Sequence, residues 1–576
     1  MVLRALQPLR EHGTNLGCFL FEWAATAPDR VFVAERAPHG AWRTVSYAEA
    51  ARTASSVAQA LIDRGLDQSR MVMVLSGNGV DHALLMLGAF LAGVPICPVS
   101  PAYSLLSTDY GRLKHIHRLI EPALVFVDSY DAFAPALEAL GLSGTELVCS
   151  SGLPRGVAGT PFAELQDTLA TPEVRRRAAA VAPDHVAKIL FTSGSTATPK
   201  GVVNTHRMLS ANQQMLRQCW GFLEHVPPVL LDWLPWHHTF GGNHNFNMVL
   251  RNGGSLFVDE GRPTVDLIER TVANLREVSP NAYFSVPAGY AMLLPYLEKD
   301  HELARSFLRE LRLVFYAAAA LSQDVWDRLV RLSMAHLGRR LALTSAWGST
   351  ETAPLSTTAH FAVDRAGVIG LPVPGVDVKL APMAGKLELR VRGPNVTPGY
   401  FKAPDLTREA FDGDGFYRTG DAGRLLDPDR PEKGLVFEGR LAEDFKLGTG
   451  TWVQVGVLRT AVLAACAPAL QDLVVCGHGR DQIGILAWPN PGARGDPIGE
   501  AAARDAVRRG IAAHNRSQPG ASTRIARVHL MAEPASIDAN EITDKGYVNQ
   551  RAVLERRADL VQRLFADPPA PDVMAC

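Results

Sequence analysis

Residues 191–201 read FTSGSTATPKG. Behind the apolar run AKIL, Thr192, Ser193, Gly194, Ser195 and Thr196 supply hydroxyls and backbone N–H groups, and the glycines allow the tight turns through which such groups converge on an anion. Lys200 adds a mobile point charge of the kind that follows phosphates. The spacing is not GxxxxGK[ST], so on the residues alone a phosphate cradle competes with a surface Ser/Thr/Gly turn carrying an incidental lysine. A second dense stretch, LPWHHTFGGNHNFN, gathers His237, His238 and His244 beside Trp236 and Phe240. No Cys or carboxylate completes a compact zinc set there. Two aromatic rings with Asn243, Asn245 and Asn247 nearby read instead as a pocket wall with polar handles.

These stretches need a scaffold, and the surrounding sequence supplies one. SYAEAARTASSVAQALIDRGL has the start signal and periodicity of a helix, MVMVLS and VPICPVS read as buried strands, and GVDHALLMLGAFLAG between them as a helix. The same alternation returns at HIHRLIEPALVFVDS and from LFVDEG to NAYFSVP, which predicts an α/β class of doubly wound sheets over most of residues 1–375. From about 376, short alternating pieces such as VDVKLAP, GKLELRVRG and GLVFEGR predict a small β-rich subdomain to 439. Residues 440–576 hold enough strand and helix pattern for a small α+β C-terminal domain.

The chain has 576 residues, 58 Lys plus Arg against 59 Asp plus Glu, and 47% hydrophobic residues. That length exceeds one hydrophobic core, and the balanced charge implies neither nucleic acid nor a membrane surface as partner. Seven scattered cysteines without a CxxC pair suit a reducing compartment. The N-terminal MVLRALQPLREHG lacks the apolar core of a secretion signal, and the most apolar stretch is broken by glycine and proline, so a cytoplasmic protein is expected.

TSGSTATPKG resembles the signature loop of the acyl- and aryl-adenylate-forming superfamily, with Ala197 where that family usually has glycine. Five further stretches resemble its other motifs in the same order: LPWHHTFGG, WGSTE, LRVRGPNVTPGY, YRTGD and FEGRLAEDFKL. The resemblance implies that ATP, Mg²⁺ and coenzyme A act together on a small-molecule carboxylic acid. It puts residues 192–196 and Lys200 on the nucleotide phosphates, Thr350 on phosphate, Glu351 on Mg²⁺, Trp347 and Gly348 beside adenine, and Asp421 and Arg440 on the ribose. His238, Phe240, Ala318 and Gly348 fall at the acid. Thr192, His238, Glu351 and Lys545 are the implied catalytic set.

The resemblance also implies a hinge at Glu443, about which a mobile C-terminal domain turns between two half-reactions. Its lysine register falls on Tyr547, two residues beyond Lys545, and a lysine side chain of about 6 Å can make up that offset. Lys386 replaces a common glutamate, a change expected to touch a surface or structural contact and not the reaction. HHTFGGNHNFN, YAAAALSQDVWDRL and PASIDANEITDKGYVNQRAVLERR look like the feruloyl-CoA synthase branch, whose substrates are hydroxycinnamic acids. A medium- or long-chain fatty acyl-CoA synthetase, suggested by FKLGTG, and a catalytically impaired acyl- or nucleotide-binding protein, suggested by Ala197 and Tyr547, are the alternatives. Whether the chain pairs as a homodimer is open.

Overall fold

The computed structural model describes residues 1–192, 198–317, 319, 321–383, 385–490, 497–543 and 548–576. Its architecture is a large mixed α/β part with several sheets, followed by a smaller α+β part. The helix Tyr47–Asp63 starts where the sequence says it should. Ser46 accepts from the Glu49 amide and the Glu49 carboxylate accepts from the Ser46 amide, which satisfies donors that a helix start leaves open. This helix crosses Val80–Ala92 so closely that a Cβ on Gly88 would lie 2.6 Å from Val57. The pair shares one core with Val72 and Val74 from one sheet and with Phe32 and Val33 from another.

The first of those sheets runs, in spatial order, Lys200–Thr205, Val186–Thr192, Ile96–Pro98, Val72–Leu75, Leu124–Val127, Glu146–Cys149 and Thr160–Pro161. It is parallel except at one edge, where Val186–Thr192 and Lys200–Thr205 form an antiparallel pair with Thr192 opposite Lys200. The second is built from Val229–Asp232, Ser255–Val258, Val31–Arg36 and Trp42–Ser46.

The third sheet starts with the parallel strands Ala282–Ser285, Leu313–Tyr316 and Ala342–Gly348 and continues without a break into antiparallel ones. Val368–Pro372 joins the two regimes by pairing with Leu355–Thr358 on one side and Leu435–Arg440 on the other. Strands that read in the sequence as a separate β-rich unit are thus hydrogen-bonded edge to edge with the α/β strands. The last sheet, Leu470–Cys476, Ile483–Pro489, Ile525–Leu530 and Val573–Ala575, packs its own core around Val475, Ile485, Val507 and Val528.

Candidate active site

The strand Ala342–Gly348 delivers the candidate residues at its carboxyl end, the usual place for a ligand in a parallel sheet. Gly348 could carry no side chain, since a Cβ there would lie 1.6 Å from the Pro354 carbonyl oxygen. The chain then turns through a single 3₁₀ turn, Thr350–Thr352, closed by the Thr352 hydroxyl accepting from the Ser349 amide at 2.9 Å. Asn395 donates to the Thr352 and Leu355 carbonyls, and the Thr397 amide donates to the Glu351 carbonyl, so the turn is pinned from a distant stretch of chain.

Three of the expected residues meet here. The Trp347 indole N–H donates to Asp421 Oδ2 at 2.8 Å, and the Arg440 guanidinium lies 3.6 Å from Asp421 Oδ1. Asp421 and Arg440 face each other across paired strands, which fixes their approach. Asp421 is buried, and its Oδ1 has no hydrogen-bond partner among the described residues. Burial raises its carboxyl above the ordinary range, opposed by Arg440 and by the Trp347 N–H. A buried anionic oxygen left open is suited to the hydroxyls of a sugar. Trp347 is itself buried.

Glu351 and Lys200 are joined by a residue that sequence reasoning passed over. Tyr400 donates its phenol to Glu351 Oε1 at 3.2 Å, lies within hydrogen-bond distance of the Tyr417 hydroxyl, and places its ring 5.4 Å from Lys200 Nζ. Burial raises both phenols above their ordinary range, reinforced by the Glu351 charge. Tyr400 is held there because residues 399–401 lie along the strand Lys200–Thr205: Val203 N donates to Gly399 O and Phe401 N to Gly201 O. The only sequence signal was that GY and YR stand inside the quoted stretches. Thr192 ends its strand opposite Lys200. Ser193, Gly194, Ser195 and Thr196 lie outside the described residues, as do Ala318, Lys545 and Tyr547.

Thr239–Asn245 forms a buried π-helix turn that carries Phe240. The two glycines explain the local path, for a Cβ on Gly241 or Gly242 would lie 2.2 Å from the carbonyl oxygens of Leu234 or Trp236. His238 precedes the turn, and its Nδ1 accepts from the Phe240 amide at 3.3 Å. The expectation that Trp236, Asn243 and Asn245 line a pocket is corrected. Trp236 packs on His82 and Phe246, Asn243 donates to Asn204 and Thr239, and Asn245 donates to Asp232. Burial leaves such groups no water, so Asn243 and Asn245 donate to partners inside the protein, whereas both polar side-chain atoms of Asn247 are buried with no hydrogen-bond partner among the described residues.

His244, in contrast, sits among Trp220, Phe240, Phe284 and Phe315, with ring centroids 5.2–5.7 Å away. Its Nδ1 lies 2.8 Å from Asn245 Oδ1, and its buried Nε2 has no hydrogen-bond partner among the described residues. Burial lowers its pKa to about 4, against the Asn245 contact, so the imidazole is neutral near pH 7. Because Asn245 spends its amide N–H on Asp232 Oδ2, its oxygen accepts from His244 Nδ1–H and Nε2 is left as an acceptor.

Glu443 follows the strand that ends at Arg440. Its neighbour Asp444 pairs with Lys386, which also donates to the Glu438 carbonyl at 3.2 Å, and Asp444 Oδ1 accepts from the Val455 amide. Lys386 therefore makes a structural contact at the expected hinge. Among the described residues no group of three or more His, Cys, Asp or Glu side chains could hold a metal by itself. A lone buried carboxylate such as Glu351 fits a Mg²⁺ carried mainly on nucleotide phosphates.

The chain matches two family models, AMP-binding enzyme over residues 20–401 and AMP-binding enzyme C-terminal domain over residues 447–568. It is 26% identical over 382 residues to the 3-[(3aS,4S,7aS)-7a-methyl-1,5-dioxo-octahydro-1H-inden-4-yl]propanoyl:CoA ligase of Rhodococcus jostii, covering 64% of this chain and 70% of that one. A 4-coumarate-CoA ligase 1 of Narcissus pseudonarcissus is 27% identical over 463 residues, covering 77% and 78%. In fold it resembles the anthranilate CoA ligase AuaEII in complex with anthranoyl-AMP, with a TM-score of 0.74, 20% identity, and 96% and 98% of the two chains covered. With the first family model spanning two thirds of its length and the second most of the remainder, the chain belongs to the AMP-binding enzyme family.

Proposed function

We propose that this chain is an AMP-forming acid:CoA ligase whose acid is aromatic and carries a phenol, of the hydroxycinnamic, ferulic type. The reaction class is supported by the family and by relatives that are CoA ligases. A carboxylate is a poor electrophile. Its oxygen first bonds to the α-phosphorus of ATP as the bond to pyrophosphate breaks, and the sulfur of coenzyme A then bonds to the acyl carbon as AMP leaves and the thiol proton passes to solvent.

In this reading Asp421 takes the ribose hydroxyls with Arg440 beside it, Trp347 borders the adenine, and Lys200, Thr192 and Thr350 face the phosphates. Mg²⁺ at Glu351 would supply neutralising charge to those phosphates. Lys545 is the proposed partner of the carboxylate and α-phosphate, with Tyr547 the other candidate. Lys545→Ala and Tyr547→Phe, compared in pyrophosphate release, distinguish the two.

One observation carries the choice of acid. The His244 Nε2 acceptor is enclosed by four aromatic rings and has no hydrogen-bond partner among the described residues. An alkyl chain would leave that nitrogen unpaired, at a cost of about 1–3 kcal/mol, whereas a phenol satisfies it and stacks against the rings. The test is AMP formation with and without CoA for ferulate, p-coumarate, cinnamate and octanoate. The hydroxylated acids should exceed cinnamate by about tenfold or more in kcat/KM, and His244→Phe should erase that preference. A preference for octanoate would favour the fatty acyl alternative, and no turnover with any acid would favour the impaired protein.

A further inference from the structure

Residues 536–542 belong to the C-terminal part of the chain, yet their side chains touch the N-terminal part. The segment is a tight knuckle. Ser536 N donates to Glu541 Oε2, Glu541 N to Ser536 O, and Asn540 takes a positive φ of 61° with its amide on the Ile537 carbonyl. Fully buried Glu541 anchors it from behind, accepting from Arg557 at 2.6 and 2.8 Å and from Arg556 at 3.2 Å. A bridge pairs Ile542 with Val548, and Asn549 N donates to Glu541 O.

From the front of the knuckle, Asp538 accepts from the Ser107 hydroxyl at 2.6 Å, the Thr108 amide at 3.1 Å and the Thr108 hydroxyl at 2.8 Å. Asn540 Oδ1 accepts from Arg112 at 2.7 Å, and Ile537 packs against the core that holds Leu113 and Ile116. Arg112 lies on the helix Gly111–Ile120, and one turn further on the same helix His115 Nε2 is 3.2 Å from the carbonyl of Pro199, the residue before Lys200. The knuckle is thus joined, through one turn of helix, to the end of the candidate phosphate stretch.

We infer that Asp538 is a positioning residue: its bonds to Ser107 and Thr108 dock the C-terminal part against the nucleotide face for acid activation, and they must open before the CoA step. The inference rests on the two-step ligase reading. The placement of the groups suits a reversible contact. Asp538 and Thr108 are exposed at the rim, where water can replace each bond as it breaks, whereas the Glu541–Arg557 pair that shapes the knuckle is buried and stays closed. Docking of this kind holds reacting groups in register without taking part in the chemistry.

The test uses the full-length enzyme and separates the two steps. Asp538→Ala and Thr108→Val should each lower pyrophosphate release from acid and ATP by about tenfold, while thioester formation from preformed acyl-adenylate and CoA stays equal or rises. Hydrogen exchange at the Thr108 amide, the donor to Asp538, should be protected in the wild type and fast in Asp538→Ala at unchanged Tm. Equal losses in both steps, or unchanged pyrophosphate release with a deprotected Thr108 amide, would overturn the inference. If the wild type performs neither step with any acid, the ligase reading itself falls, and a Thr108 amide equally fast in both proteins would show that the docking falls with it.

Discussion

Asp421→Asn separates stability from function at a single atom. The substitution keeps the shape and leaves an amide oxygen to accept from Trp347 Nε1, now 2.8 Å from the carboxylate. The position of Oδ1, which has no hydrogen-bond partner among the described residues, becomes an N–H₂ that cannot accept from a ribose hydroxyl. Hydrogen bonds to a charged group contribute about 1.5–3 kcal/mol each, so losing the one at Oδ1 costs about 1.5–3 kcal/mol in ATP recognition. At about 1.4 kcal/mol per factor of ten, kcat/KM for ATP should fall by roughly 10- to 150-fold.

Stability should move the other way. Burial raises the Asp421 carboxyl, so the folded state binds its proton more tightly than the unfolded chain, and the ionised group opposes folding above its raised pKa. Arg440 loses little by the change, because its side chain is 64% exposed. Tm at pH 7 should therefore hold or rise. The decisive assay compares ATP with 2′,3′-dideoxy-ATP in both proteins. If Asp421 grips the ribose, removing the hydroxyls should harm the wild type strongly and the variant hardly at all. An equal loss on both nucleotides, or a fall in Tm that tracks the loss of rate, would refute the assignment.

Glu351→Gln should remove most pyrophosphate release at saturating Mg²⁺ with the fold intact, since an amide is a poorer ligand for a hard cation; equal rates would exclude Glu351 from the site. His238→Ala should lower ferulate-dependent kcat/KM more than His237→Ala, with about 1 kcal/mol of added destabilisation because His238 Nδ1 accepts from the Phe240 amide; the reverse order would move the role to His237. Lys188 is fully buried with its ammonium on the Gly242 carbonyl, and burial pushes its pKa down to about 7, against about 10.4 in the unfolded chain. Between those values the unfolded state binds more protons, so stability rises with pH there. Lys188→Met should flatten that rise, and parallel Tm curves from pH 7 to 9.5 would contradict it.

Much of this was legible in the sequence because it is local. The capping box at Ser46 and Glu49, the buried strands and the order of the motifs each depend on residues a few positions apart. What escaped depends on chain distance. Tyr400 matters because residues 399–401 run along the strand that starts at Lys200, and no periodicity near either residue announces that contact. Lys386 was read as a departure from a pattern, and only the fold shows it meeting Asp444. The asparagines after His238 looked like pocket handles because polar residues near aromatic ones suggest a ligand. The partners of Asn243 and Asn245, Asn204 and Asp232, lie on other strands or strand ends.

The buried carboxylates show how structure and site divide the same side chain. Glu541 is closed on both oxygens by Arg557, and despite its burial those contacts hold its pKa below the usual range. Asp412 is held low in the same way, against its burial, by Lys379 and Arg390. Each is a finished contact that gains nothing from a ligand. Asp421 and Asp232 go the other way: burial raises both, Asp232 to about 7, because their protein partners do not repay the lost water. Asp421 leaves an oxygen open beside Trp347, and Asp232 anchors the Asn245–His244 relay whose far nitrogen is open among four rings. Under-satisfied groups are costly, so a fold keeps them where binding completes them. In the proposed function the two open atoms meet the sugar of the nucleotide and the phenol of the acid, the two ends of one acyl-adenylate.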